Sequence, residues 1–428
     1  MEKMSKNYDV VIIGGGTSGC ACAYNCAKLK LKTLLIEKNN FLGGLMTGGL
    51  VVPIMKSSVD DLNCDYYKNL VDKAKKYHAQ IKYKDGNDGW FNPEVMKIVL
   101  EDLLTQEDIR PYLDILFEAE VDSVLKDGNS ISSIVLNSNL LSIPIVSKYY
   151  IDATGSASFS IKSGCQILND TKEKQQNTLR FILGNVDIEK FSEFILEVDK
   201  DENVTNTYRN DIDTNSELHF TTACTWDTNK IWALDKYLQK GVSDGILAEF
   251  DRSYFQIFSI AGTTSQVAFN CPRINNYLDN PYLYSNELIN AKQAIYRLYQ
   301  FVKMNFPGFD NSIITNIATQ TGIREQNRVK TKYVYTIDDL EAQKTFETPV
   351  LRANYGIDIH SAKKDSSILQ KTPNYELPIE SLMSFDVKNL YVIGKIIGAD
   401  FKTHSALRVQ KSCMSMGEAV AKHIKTLI

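Results

Sequence analysis

The sequence predicts an α/β fold in which a Rossmann-like nucleotide-binding domain holds an inserted, strand-rich α+β domain. Three observations predict it. Residues 9–19 place an apolar run directly ahead of a patterned glycine loop. Residues 165–385 depart from that pattern and become strand-rich and aromatic, and residues 386–428 return to one strand and one closing helix. At 428 residues the chain is long enough for two domains with cores of their own. The expected division is a first nucleotide-binding part over 1–164, with a helical insertion at about 50–110, then a substrate domain over 165–385 and a return over 386–428.

The opening stretch DVVIIGGGTSG carries Gly14, Gly16 and Gly19 between a strand and a helix. The first glycine permits the tight turn, the second lets backbone approach a pyrophosphate, and the third packs helix on strand. Thr17 and Ser18 fall between the second and third glycines. The next apolar run, LKTLLIE, ends on Glu37, a carboxylate placed to accept hydrogen bonds from a ribose, and Lys38 follows it. Strand, glycine loop, helix, strand and acid within one short unit are far more specific than the glycines alone. These residues form the expected dinucleotide site.

Further along, CDYYKNLVDKAKKY and FNPEVMKIVLEDLLTQE read as helices, the second with Asn92 as N-cap, Pro93 at its first position and Glu94 in its first turn. FEAEVDSVLKDGNSISSIVL reads as a hairpin turning at DGN, and VSKYYIDATG as a buried strand ending in Ala153, Thr154 and Gly155. In the middle region FDRSYFQIFSI and TSQVAFNCPRI read as strands, with a helix at about 285–305. Tyr254, Phe255 and Phe258 are expected to be sheet core. KNLYVIGKIIGAD supplies a strand and a loop, and about 410–426 a closing helix.

Composition narrows the class. Hydrophobic residues at 43% and charged residues at 23% are ordinary for a globular enzyme. With 48 basic and 52 acidic side chains, a net charge of −4 gives no broad attraction to nucleic acid or anionic lipid. No apolar stretch approaches the roughly 20 residues needed to span a bilayer, and the charged leader lacks a secretory core, so a cytoplasmic location is expected. Eight scattered cysteines form no CxxC pair. Cys20, Cys22 and Cys26 fall in the helix after the glycine loop, where close packing explains small side chains, and no metal site is expected.

A nucleotide unit at the start, a different domain in the middle, and a strand plus helix at the end suit an extended FAD. No second glycine fingerprint is present for a nicotinamide nucleotide, which leaves the electrons to the substrate or to an external donor or acceptor. The chain resembles the bacterial FAD-dependent oxidoreductases of glutathione-reductase-type fold, distantly similar to the fumarate reductase and succinate dehydrogenase flavoproteins. The resemblance rests on IEKNNFLGGLMTGGL, YYIDATGSA, FPGFDNSIITNIATQTGIREQNRV, YGIDIH, YELPIESLMSFDVKNLYVIGKIIGAD and ALRVQKSCMSMGEAVA.

It implies further cofactor contacts. Gly43, Gly44 and Thr47 match a loop beneath the pyrophosphate, although a plain turn also explains the glycines. Val121 matches the position where backbone meets the adenine, Ala153, Thr154 and Gly155 a segment covering the cofactor, and Gly394 and Asp400 a segment at the ribityl or pyrophosphate portion. Where many flavoproteins carry an acid after this glycine the chain has Lys395, which shifts the expected ribityl contact to Asp400. A helix beginning near Lys411 or Ser412 is expected to aim its amides at the flavin pyrimidine edge.

On the substrate side His360, with Asp358 as companion, matches a family Asp-x-His stretch. His404 stands near a segment where many relatives have a histidine and this chain has Phe401. Arg324 and Arg408 are the expected carboxylate anchors, with a structural bridge from Arg324 to Glu325 or another acid as the alternative; Arg273 is a weaker third candidate. The function expected is an FAD-dependent oxidoreductase exchanging a hydride between flavin N5 and a small organic substrate, a carboxylate among the options. The alternative is a flavin-carrying scaffold or nucleic-acid-modifying subunit, favoured by a surface basic groove and opposed by an aromatic-lined pocket. Reaction direction and oligomeric state are not written in the sequence.

Overall fold

A computed structural model describes residues 6–55, 62–81, 89–138, 141–168, 173–209, 217–224, 230–361 and 368–428. Its first sheet grows from β1 (Lys6–Ile13), α1 (Thr17–Lys28) and β2 (Thr33–Ile36). The VVII run of β1 is buried on both faces, Val10 and Ile12 belonging to one core and Val11 and Ile13 to another. That is why it reads as continuous apolar sequence: a parallel strand covered above and below has no wet face.

After β2 come α2 (Asp65–Lys76), α3 (Pro93–Leu104) and β3 (Leu113–Leu116). The Asn92 side chain caps α3, accepting from Glu94 N at 3.0 Å and Val95 N at 3.2 Å. β4 (Ala119–Asp127) and β5 (Ser130–Ser138) form the expected hairpin, and β6 (Leu141–Asp152) carries the chain back beside β1 in parallel register. The strand order is β3-β2-β1-β6-β5-β4.

A six-stranded sheet occupies the middle of the chain. Its elements are β7 (Phe181–Gly184), α4 (Ile188–Val198), β8 (Asn206–Arg209), β9 (Leu218–Cys224), β10 (Phe255–Ser259), β11 (Val267–Phe269), α5 (Pro281–Asn305) and β12 (Ile313–Ile317). The strands run antiparallel in the order β8-β9-β10-β11-β7-β12. Sequence reading assigned one helix here and missed α4. Its cues are local and plain in retrospect: Asp187 accepts from Lys190 N at 3.0 Å as N-cap, and Ile188, Phe191 and Ile195 repeat at helical spacing and are buried. Phe255 and Phe258 are core as expected, whereas Tyr254 faces a cavity.

The return segment closes the first sheet. β13 (Leu390–Val392) pairs in parallel with β6, and α6 (Phe401–Leu407) leads into α7 (Gln410–Leu427). α7 lies against α1 at backbone distance: a β-carbon on Gly417 would stand 2.3 Å from Ser18 O and 2.9 Å from Cys22 N. Buried Glu418 accepts from Tyr66 N at 2.9 Å and pairs with Lys422 at 2.7 Å, tying α7 to α2. Cys20, Cys22 and Cys26 are buried inside α1, Cys20 Sγ donating to Gly15 O at 3.2 Å. Among the described residues no helix is long and apolar enough to cross a membrane.

The α1–α7 contact yields a test. Gly417→Ala forces the two helices apart and is expected to lower the unfolding free energy by about 1–3 kcal/mol, the usual cost of overpacking, as read from urea unfolding. Wild-type stability would show that the contact is not tight.

Candidate functional site

One cavity of about 2100 Å³ runs from the glycine loop to the middle sheet. It exceeds the roughly 300–1,000 Å³ of an ordinary small-ligand pocket, so it has room for a dinucleotide and a second molecule.

At the first end the backbone does the shaping. Gly14 turns with φ +109°, and a β-carbon on it would lie 2.5 Å from Ala153 O. Gly19 packs behind the wall, where a β-carbon would fall 1.9 Å from Gly14 O. Gly16 is different: a β-carbon there meets nothing within 4 Å. It is the N-cap of α1, which no side chain caps, so the amides of the first turn, at Thr17 and Ser18, face open cavity with the helix's positive end. Glu37 is oriented on the wall by Gly15 N at 2.7 Å and Asn39 N at 2.8 Å. Lys38, Gly44, Val121, Ala153, Thr154, Gly155 and Gly394 complete this end.

Gly43, Thr47 and Asp400 lie outside the wall. Gly43 bridges to Gly16 and the Thr47 hydroxyl donates to Leu42 O at 2.5 Å, so both shape the loop that carries Gly44. Asp400 caps α6 through Thr403 N at 2.8 Å and also accepts from Ile337 N at 2.7 Å. At this point the wall is formed by Gly394 and Lys395. α7 begins at Gln410, close to the expected Lys411 or Ser412. Its own N-cap, Val409, provides no side-chain cap, and Val409, Gln410 and Cys413 reach the cavity. Two uncapped helix N-termini, a glycine cradle open to the cavity and an oriented acid suit FAD, with its pyrophosphate and an electron-accepting ring.

The other end is built by short pairings between distant segments. Asn177–Thr178 pairs with Arg273–Ile274, Thr178 bridges to Gly322, and Gln176 N donates to His360 O at 2.7 Å. These contacts bring Arg180, Arg273, Arg324 and Arg408 to one chamber with Asp358, His360, Tyr254, Tyr284 and Tyr355. Arg324 Nη1 donates to Gln176 O at 2.8 Å and Thr178 Oγ1 at 2.9 Å, while Glu325 pairs with Arg328 at 3.4 Å. Arg273 lies 3.7 Å over the Tyr254 ring. Arg408 donates to Asp358 O at 3.0 Å, and its Nε is buried without a protein partner.

Four guanidiniums against the carboxylate of Asp358 leave this chamber with an excess of three positive charges. Burial first, then Arg273, Arg408 and Arg180, pushes Arg324 well below its ordinary range, and burial brings Arg180 down to about 10. Arginine does not give up its proton, so these shifts reflect the cost of burying the charges, with mutual repulsion added to it. Asp358 is held below the usual carboxylate range, against its burial, by His360, Arg408 and Arg324. His360 Nε2 lies 3.0 Å from Asp358 Oδ1, and Arg273 Nη2 lies 2.9 Å from His360 Nδ1. A guanidinium only donates, so Nδ1 is the acceptor and Nε2 carries the hydrogen. Burial, reinforced by Arg273 and Arg324, brings His360 down to about 3 and keeps it neutral.

His404 is apart from this chamber. It lies outside the wall and its Nε2 hydrogen-bonds Lys395 O at 2.7 Å. Sequence reasoning missed Arg180 altogether; the signal was a charge inside the apolar strand context LRFILG. Tyr254 was assigned to core because its strand neighbours are core.

A family model described as FAD dependent oxidoreductase matches residues 9–427. The chain is similar to rat mitochondrial glycerol-3-phosphate dehydrogenase, 32% identical over 84 residues that make up 18% of this chain and 11% of the relative. It is also similar to the thiamine thiazole synthase of Methanococcus aeolicus, 28% identical over 158 residues, 34% of this chain and 54% of the relative. The chain thus spans about half or less of the length of these relatives. Among solved structures it is similar in fold to the FAD-dependent myxobacterial chondrochloren halogenase, with a TM-score of 0.50 and 11% identity over 99% of this chain and 75% of that one.

Two expectations follow from the geometry. Gly16→Ala should keep the fold, because a β-carbon there meets nothing within 4 Å, yet bind FAD at least about tenfold more weakly, a loss of ~1.4 kcal/mol, by fluorescence titration; unchanged affinity would place the cofactor elsewhere. For His404, burial and then Arg328 and Arg408 bring the folded pKa to about 3, below its ordinary 6.5. Its contribution is intact above pH 6.5 and is lost as pH falls toward 3, because only the unfolded chain takes up the proton. The slope is at most ~1.4 kcal/mol per pH unit. His404→Gln should flatten the stability profile between pH 6.5 and 5 by about that amount, and parallel profiles would contradict the assignment.

Proposed function

The chain belongs to the FAD dependent oxidoreductase family, and on that premise we propose that it exchanges a hydride between flavin N5 and a carbon of a small organic carboxylate. The observation that carries this reading is the chamber of four arginines, Arg180, Arg273, Arg324 and Arg408, opening on the cofactor cavity. Bound FAD supplies two-electron hydride chemistry; the rest falls to the chain's own residues.

Arg324 and Arg408 anchor the carboxylate. A guanidinium presents paired donors that fix a carboxylate in one plane, and a fixed carboxylate orients the neighbouring carbon. The excess of three positive charges favours a substrate bearing more than one negative group. Burial and Arg273 hold His360 neutral with its Nδ1 lone pair engaged, against the pull of Asp358. The pair Asp358–His360 is the proton-handling group, the carboxylate stabilising the imidazolium that forms when Nδ1 takes a proton in place of the Arg273 contact. His404 acts at a distance, positioning the Lys395 backbone. The aromatic wall of Tyr254, Tyr284 and Tyr355 favours an enclosed reaction chamber over a scaffold or nucleic-acid-modifying role. A separate electron donor or acceptor completes turnover.

Anaerobic mixing of the FAD-loaded protein with a panel of mono-, di- and tricarboxylates, in both flavin redox states, tests the reading. One member should bleach or reoxidise the flavin, and Arg324→Met should reduce kcat/KM for it by about a hundredfold, in line with the 2–5 kcal/mol of a truncated buried charge contact. No spectral change in either direction across the panel would overturn it.

A further inference from the structure

The loop after β13 carries a cation, Lys395, where many flavoproteins carry an acid. Its backbone belongs to the cofactor end, because a β-carbon on the preceding Gly394 would lie 2.8 Å from Ser18 Oγ in the first turn of α1. Its side chain crosses Gly155, with Cε 3.1 Å from where a β-carbon on that glycine would stand. The ammonium then donates to Ile323 O at 2.6 Å, one residue before Arg324. Lys395 therefore bridges the two ends of the cavity and lines its wall. The titratable groups bearing on it are Arg408 at the end of α6, Cys413 in the first turn of α7, and His404, which hydrogen-bonds its carbonyl. None of the three is a carboxylate, and an ammonium has three donors to satisfy.

We propose that Lys395 is a cofactor-binding residue whose ammonium holds an anionic oxygen of FAD, so that uptake of the cofactor recruits a proton to this lysine. The arrangement is that of a cation placed ahead of its counter-ion: a channel wall, a crossing over a side-chain-free Gly155, and a cationic neighbour in Arg408. Burial and then Arg408 bring its pKa down to about 7, which leaves it mostly neutral at pH 8 until a negative charge arrives. The inference rests on FAD as the occupant of the cavity and is independent of the substrate.

Calorimetric titration of FAD into the apoprotein at pH 8, in HEPES and in Tris, reads the protons taken up from the difference in heats. Wild type should take up about one proton per FAD. Lys395→Met should bind FAD at least about tenfold more weakly with no uptake, whereas Lys395→Arg should keep the affinity and lose the uptake, because a guanidinium is charged throughout. ADP as a second probe locates the contact: weakening of both ADP and FAD by Lys395→Met places the ammonium on the phosphates as proposed, whereas weakening of FAD alone places it on the uncharged ribityl–flavin portion and overturns the proposal. Wild-type FAD affinity in Lys395→Met, or equal proton uptake by wild type and Lys395→Arg, overturns the proposal. Failure of the wild type to bind FAD at all would instead overturn the cofactor reading itself.

Discussion

Backbone contact between segments far apart in the chain is the constraint from which the architecture follows. The turn at Gly14 meets Ala153 O so closely that no side chain fits between them, and α7 meets α1 in the same way at Gly417 and Ser18. These two contacts press residues 153–155 and the C-terminal helix onto the first βαβ unit. They leave the N-termini of α1 and α7 open on one cavity. A looser packing would still bury apolar surface, but it would not converge two sets of unsatisfied amides on one volume.

The middle sheet contributes the opposite kind of chemistry. Its core is a cluster of aromatic rings such as Phe191, Phe220, Phe269 and Phe309, packed edge to face or stacked. From its margin come Arg180, Arg273 and Tyr254. The sheet is thus a rigid plate whose apolar side supplies stability and whose cavity side supplies charge. Supporting groups on a plate of this kind fix the directions of the guanidiniums.

The two ends of the cavity were legible in the sequence to very different degrees, for a physical reason. Gly14, Gly16, Gly19 and Glu37 act through local backbone geometry, and local geometry is written in spacing. The arginine chamber is assembled by two-residue ladders such as Arg273 against Thr178 and by isolated bonds such as Gln176 N to His360 O. Nothing in one segment announces its partner in another. Arg324, Arg408 and His360 were found because family-like stretches contain them; Arg180 and Tyr254 were not, because each sits among residues that belong to the core. Asp400 was expected at the ribityl chain from its place in a motif, yet its two oxygens bond to backbone amides and cap α6.

The charge of the chamber explains why such an arrangement persists in a protein of ordinary composition. Uncompensated buried cations each cost several kcal/mol, against a total folding stability of only about 5–15 kcal/mol. They are tolerated here because the cost is spread over neutral acceptors: Gln176 O and Thr178 Oγ1 accept from Arg324, Thr178 Oγ1 also from Arg273, Leu50 O from Arg180 and Asp358 O from Arg408. Those bonds fix direction without cancelling charge. A carboxylate in place of any of these acceptors would lower the cost of burying the charge. A fold that keeps these guanidiniums oriented, with the Asp358 carboxylate 3.8 Å from Arg408 as partial compensation, holds the remaining charge at a cost in stability.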